Sequence, residues 1–176
     1  MMRRAIVLTA LAVALCASAL SATSVLYVPI DRSIEMSDAV LVGHVLRMEP
    51  AYNAEGEIVT RIELLVEESL KGDVRAGQVF TFDAWGGSLD GVNVETVGEA
   101  RYRLGQKVLV QLENIDGEYH TLGLSFGKWD VTKDARGQQW ISRSLADLNV
   151  VGISEAPIEK MPLRQMREAV RERPAF

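Results

Sequence analysis

The sequence predicts an all-β fold, a small antiparallel OB-like barrel with a C-terminal α-helix, following an N-terminal leader. Three observations carry this. Apolar residues recur with a period of two along most of the chain. Turn-forming glycines and aspartates separate these runs. No helical pattern lies between consecutive runs, which excludes a parallel βαβ sheet. Many short strands joined by tight turns bury one face each by closing into a barrel or packing as a sandwich.

The leader comes first. Arg3 and Arg4 precede an apolar run from Ala5 to Leu15, and Cys16-Ala17-Ser18-Ala19-Leu20-Ser21-Ala22 follows. A basic start, a short apolar stretch and small residues at a cleavage point describe a secretory signal peptide. The run is shorter than the ~20 apolar residues that span a bilayer. Residues 1–22 are therefore read as the signal, with cleavage after Ala22 preferred to cleavage after Ala19. Residues 23–176 are read as a single domain, exported to the periplasm or outside the cell. The twin arginines keep the twin-arginine export route open beside the general one. Cys16, the one cysteine of the chain, leaves with the signal, so the exported domain depends on an ordinary core and not on disulfides.

The body then alternates. Asp31 to Asp38 reads as a short helix, with Ile34 packing inward and Met36 as a second inward candidate. Val40, Val42 and Leu46 mark a strand interrupted by Gly43 and His44. Ile58, Thr60, Ile62, Leu64 and Val66 share a face opposite Arg61, Glu63 and Glu67, the pattern of a half-buried strand. Phe80, Phe82 and Ala84 form the next. Residues 86–91, Gly-Gly-Ser-Leu-Asp-Gly, read as a longer loop, with Val92 to Val97 as a weak strand beyond it. Val108, Val110 and Leu112 lead to Asp116-Gly117, the strongest hairpin signal in the chain. His120, Leu122, Leu124 and Phe126 continue the alternation, and Trp140 with Ser142 marks a last short strand. Residues 144–161 read as a connection. Pro162 suits a helix start, and Leu163, Met166 and Val170 then fall on one helical face.

Asp38-Ala39-Val40-Leu41-Val42-Gly43-His44-Val45, the strand ending Leu70-Lys71-Gly72, Tyr102-Arg103-Leu104-Gly105 and Gly127-Lys128-Trp129 recur in a characteristic order. In this the chain resembles a group of uncharacterised exported bacterial proteins. More distantly, over residues 38–130, it is similar to netrin-like domains of the tissue-inhibitor-of-metalloproteinases type, which are OB-like barrels. The resemblance implies a barrel. It does not carry the inhibitory chemistry over, and inhibitor or partner of a secreted metalloprotease stands only as a further reading. Such inhibitors use an N-terminal cysteine and disulfides, and the exported chain has neither.

The chain carries 19 basic and 24 acidic residues, a net charge of −5, and loses two of the basic ones with the leader. Nucleic acid and anionic membranes are poor partners for that balance. No second apolar run reaches membrane length, so no transmembrane segment is expected after the leader.

Gly123-Leu124-Ser125-Phe126-Gly127 is formally G-x-S-x-G, the pattern around the nucleophile of many esterases. That elbow needs a helix after the serine, whereas Lys128 to Thr132 continue as strand. Both histidines, His44 and His120, precede Ser125, against the order of α/β-hydrolases. Apolar residues also change from even to odd positions near Gly127, so the stretch reads as a barrel corner. The two histidines lack metal-ligand spacing, and Asp83, Asp90 and Glu95 do not reproduce a calcium loop. The glycine stretch at 86–91 lacks the lysine and helix of a phosphate loop. No catalytic residue, metal ligand or cofactor is assigned. Trp129 and Trp140 read as core residues, while Trp85 stands at a strand end beside the glycines. The candidate ligand-binding residues are therefore Asp83, Trp85 and Asp90, with the 86–91 segment. The expected function is an exported non-catalytic binding or interaction module for an unidentified protein or small ligand. A small secreted hydrolase is the alternative, and the metalloprotease inhibitor or partner is the second.

Overall fold

The alternating runs become eleven described strands and two described helices. They are β1 (Ser24–Leu26), α1 (Ile30–Met36), β2 (Ala39–Tyr52), β3 (Ile58–Lys71), β4 (Val79–Leu89), β5 (Val92–Glu95), β6 (Lys107–Ile115), β7 (Glu118–Thr121), β8 (Lys128–Lys133), β9 (Gln139–Ser144), β10 (Asn149–Val151), β11 (Ile158–Pro162) and α2 (Leu163–Arg171). The computed structural model describes residues 24–145, 148–151 and 158–173. The leader, its cleavage point and Cys16 lie outside the described residues.

Nine strands form one sheet in the order β11-β9-β8-β6-β2-β3-β4-β5, and β7 pairs with both β6 and β4. The β4–β7 link is a single parallel pair, Asp83 opposite His120. β1 and β10 make a separate parallel pair. The protein is thus mostly β with a C-terminal helix, as expected, but not a clean barrel. The sheet runs on past β6 through β8, β9 and β11, and the far half of β4 leaves β3 to pair with β5. The expected connection at 144–161 contains β10 and β11, and the expected loop at 86–89 is strand.

Strands β2 and β6 explain the near-continuous apolar reading of their sequences. Leu41, Val45, Val108, Val110 and Leu112 face a core shared with Ile62, Leu64, Phe82 and Tyr102. Val40, Val42 and Leu109 face a second core with Trp129, Ile141, Leu163, Met166 and Val170. A strand buried on both faces loses its polar alternation. Gly43 sits at a register shift between β2 and β3. A Cβ there would lie 2.3 Å from the Leu65 carbonyl oxygen, so only glycine lets the two backbones approach this closely.

The helical pattern of the C-terminus is realised in α2, where Leu163, Met166 and Val170 are the buried residues and Pro162 precedes the first turn. Arg167 grips both oxygens of Glu68 on β3, at 2.7–3.0 Å. In α1, Ile34 is buried but Met36 is exposed. The second core holds a buried polar relay. Trp129 Nε1 donates to Gln111 Oε1 (3.2 Å), Gln111 Nε2 donates to Ser33 Oγ (2.9 Å), and Ser33 Oγ donates to the Ile30 carbonyl (2.8 Å). It joins α1, β6 and β8 while leaving no indole or amide group unmet, which is the condition for burying them.

The Asp116-Gly117 hairpin forms as expected, with positive φ at both residues (51° and 97°) as a two-residue turn of this kind requires. The alternation through Phe126 does not survive, because β7 ends at Thr121. Gly123 and Leu124 take left-handed conformations (φ 57° and 63°), and Leu124–Gly127 is a 3-10 turn. The corner lies where the phase change places it, but a helical turn and not a bulge makes it.

Candidate functional site

Strand β4 changes partners midway, and that change creates the site. Val79–Trp85 pair with β3, whereas Gly86–Leu89 pair with β5. The bend falls at Gly86 and Gly87, both with positive φ (91° and 147°). A Cβ on Gly86 would meet the Val94 carbonyl oxygen at 2.6 Å, and one on Gly87 would meet Thr60 Oγ1 at 2.9 Å. Two glycines in a strand therefore serve as a hinge that swings the β4–β5 hairpin away from β3. Thr60 Oγ1 fixes the bend by donating to the Gly86 carbonyl (2.8 Å).

Between this hairpin and the end of the first core lies a cleft of about 330 Å³. That is the lower end of the range for small-molecule sites, ~300–1,000 Å³. Ile62, Ala84, Ala100 and Tyr102 belong to both the cleft lining and the core. Met48 and Val94 add apolar wall, and Thr96, Glu99 and Arg101 add polar groups. Tyr102 is anchored by a 2.7 Å hydrogen bond between its hydroxyl and Thr121 Oγ1. Its ring meets Phe82 edge-on, with centroids 5.4 Å apart.

Trp85 lines this cleft, and its ring stacks on His120 with centroids 4.3 Å apart and 5° between planes. His120 is buried, and its Nδ1 has no hydrogen-bond partner among the described residues. The stack holds the indole in one orientation before any ligand arrives.

Glu99 is the polar centre of the cleft. The Ala100 N–H donates to its Oε1 at 2.9 Å, whereas Oε2 is buried without a hydrogen-bond partner among the described residues. Burial pushes the carboxyl up to about 7, against the backbone N–H groups of Ala100 and Trp85, which favour the ionised form. The cation nearest in sequence, Arg101, turns outward to Glu95 (3.3 Å) with 85% of its side chain exposed.

The expected ligand residues do not converge. Trp85 is in the cleft. Asp83, two residues earlier, is buried in a bidentate pair with Arg61, Nε to Oδ1 at 3.1 Å and Nη2 to Oδ2 at 3.0 Å. This pair lines a different groove, beside Tyr119. Asp90 stands at the hairpin tip, where Tyr52 Oη donates to its Oδ2 at 3.2 Å. Glu99 escapes a reading by periodicity because residues 96–102 form no strand. The one available signal is the spacing of Ala100 and Tyr102, which face the core on either side of Arg101.

Ser125 is no nucleophile geometry. Its N–H donates to the Gly98 carbonyl (2.9 Å), and its Oγ is buried with no partner among the described residues. His44 is elsewhere, with Nδ1 3.0 Å from Glu67 Oε1 on the surface of β2 and β3. Among the described residues no group of three His, Cys, Asp or Glu side chains is placed to hold a metal ion, and no helix is long and apolar enough to cross a membrane. No protein-family model and no curated protein matches this chain.

Proposed function

We propose that the protein is an exported, non-catalytic binding module built on an OB-like barrel, and that its ligand is a small molecule held in the cleft under the β4–β5 hairpin. The barrel reading is supported by the ring β2-β3-β4-β7-β6, which returns to β2 with antiparallel pairs except for the parallel β4–β7 link. The observation that carries the binding reading is the cleft itself. It opens onto core residues, is lined in part by Trp85, and contains a carboxylate oxygen with no hydrogen-bond partner among the described residues. Pre-formed concave sites with an apolar lining and few placed polar groups are where small ligands bind.

The hydrolase alternative draws no support from the histidines, since His44 pairs with Glu67 and His120 is covered by Trp85. A fragment screen read by protein NMR tests the proposal. Bound fragments are expected to move the Trp85 indole and the Thr96–Ala100 amides, and Trp85→Ala is expected to weaken them about tenfold, the effect of a central aromatic anchor. Fragments that perturb only other surfaces would overturn it.

A further inference from the structure

We infer that the cleft recognises an organic ammonium ion: a ligand with one primary or secondary amine on a short apolar or aromatic stem, whose N–H groups reach Glu99 Oε2. This rests on the reading of the cleft as a small-molecule site.

Four features point to that chemistry. The first is the asymmetry of the carboxylate. Its Oε1 is held by the Ala100 N–H, and its Oε2 is buried and meets no donor in hydrogen-bond geometry among the described residues. The Trp85 N–H also favours the ionised carboxylate but makes no full hydrogen bond to it. A buried acceptor left unmet is costly, and the cost is relieved by a donor brought in from outside. The second is the number of free oxygens. A guanidinium binds a carboxylate through two parallel bonds, and Glu99 has one oxygen to give. An ammonium acts as a compact point charge with donors that rotate to a single acceptor. The third is that no internal counter-ion faces Glu99 among the described residues. Among the charged groups of the lining, Arg101 is committed to Glu95 at the rim. Tyr102 is tied to Thr121, and His120 lies behind the Trp85 ring. Glu95 leaves the rim itself acidic. The fourth is the apolar wall of Met48, Ile62 and Val94, which suits a hydrocarbon or aromatic stem. The chain's net charge of −5 draws basic ligands toward it.

The test uses three matched probes against the full exported chain at about pH 8, where Glu99 is ionised. They are 2-phenylethylamine, its N-acetyl derivative, and 3-phenylpropionate. Titration calorimetry and the NMR shifts of the Trp85 indole are read together. The amine is expected to bind at least about tenfold more tightly than either competitor, the worth of one charge-assisted hydrogen bond in a partly desolvated site. Glu99→Gln should remove that preference while the N-acetyl probe binds as before. Val94→Arg, a change at an exposed position of the apolar wall, should weaken both probes through lost stem contact and the amine about fivefold more than the N-acetyl probe, by like-charge repulsion. Because Val94 is exposed, this second variant tests the charge preference without disturbing the core.

Equal binding of all three probes, with the Trp85 indole shifted, would overturn the ammonium assignment and leave the binding module standing. Preference for 3-phenylpropionate would do the same. Probes that leave the indole unmoved while a broader fragment set still moves it would also refute the ammonium assignment alone. Failure of both sets would remove the cleft as a binding site.

Discussion

Replacing Glu99 by glutamine is expected to make the protein more stable at alkaline pH and to flatten its pH dependence. The folded state holds the Glu99 proton up to about pH 7, whereas the unfolded chain releases it near 4.5. A group whose pKa is raised by folding contributes stability that is fully present below the unfolded value. That stability is lost as pH rises through the folded value. At full burial the difference corresponds to about 3 kcal/mol. Glu99 is only half-buried at the edge of the cleft, so solvent screening reduces this to about 2 kcal/mol. Glutamine keeps the shape and one acceptor for the Ala100 N–H without a charge to desolvate. The variant is therefore expected to gain about 2 kcal/mol relative to the parent between about pH 5 and pH 8. In a domain of this size the gain would raise its relative midpoint by roughly 4–8 °C. Thermal and urea unfolding followed by circular dichroism at the two pH values measures the gap, and every other titrating group cancels in the comparison. Parallel stability profiles, agreeing within about 0.5 kcal/mol across that range, would refute the burial of this carboxylate.

Two further outcomes follow from buried polar atoms. Ser125→Ala removes a hydroxyl with no partner among the described residues and keeps the backbone bond to Gly98. Urea unfolding should show unchanged stability or a gain of up to about 1 kcal/mol, and a loss larger than that would expose a missed interaction. Arg143→Leu removes a guanidinium packed 3.9 Å from the Phe126 ring and 4.2 Å from the Trp129 ring, and paired with Glu159 at 2.6 Å. Leaving Glu159 with the Tyr27 hydroxyl as its one remaining partner among the described residues should cost about 3–5 kcal/mol, much of it recovered in the Glu159→Gln background. Equal costs in both backgrounds would show that the ring packing and the buried hydrogen bond from Arg143 Nη1 to the Phe126 carbonyl, not the charge pair, dominate.

Much of the fold was legible because its signals are local. Alternation in β3 follows from one face meeting the core. The Asp116-Gly117 turn follows from two residues that tolerate positive φ. The face of α2 follows from the spacing of Leu163, Met166 and Val170. Less was legible where a residue's role depends on a distant partner. The run at 120–126 alternates in sequence, yet the left-handed backbone at Gly123 and Leu124 turns it out of the strand. Gly86 and Gly87 look like loop residues, and only the pairing of β4 with two different strands makes them a hinge within a strand.

The site divides along the same line. Sequence by itself determined that Trp85 beside two glycines was worth attention, because a bulky aromatic next to residues without side chains marks a bend with exposed surface. It could not separate Asp83 from Trp85, since the two share a strand face in any reading by period. Tertiary structure alone placed Arg61 on the neighbouring strand to neutralise Asp83, and carried Asp90 to the hairpin tip. It alone brought Glu99, from a segment with no period at all, beneath the hairpin. Desolvation of a carboxylate is set by what packs around it in space, and that information is not held in its neighbours along the chain.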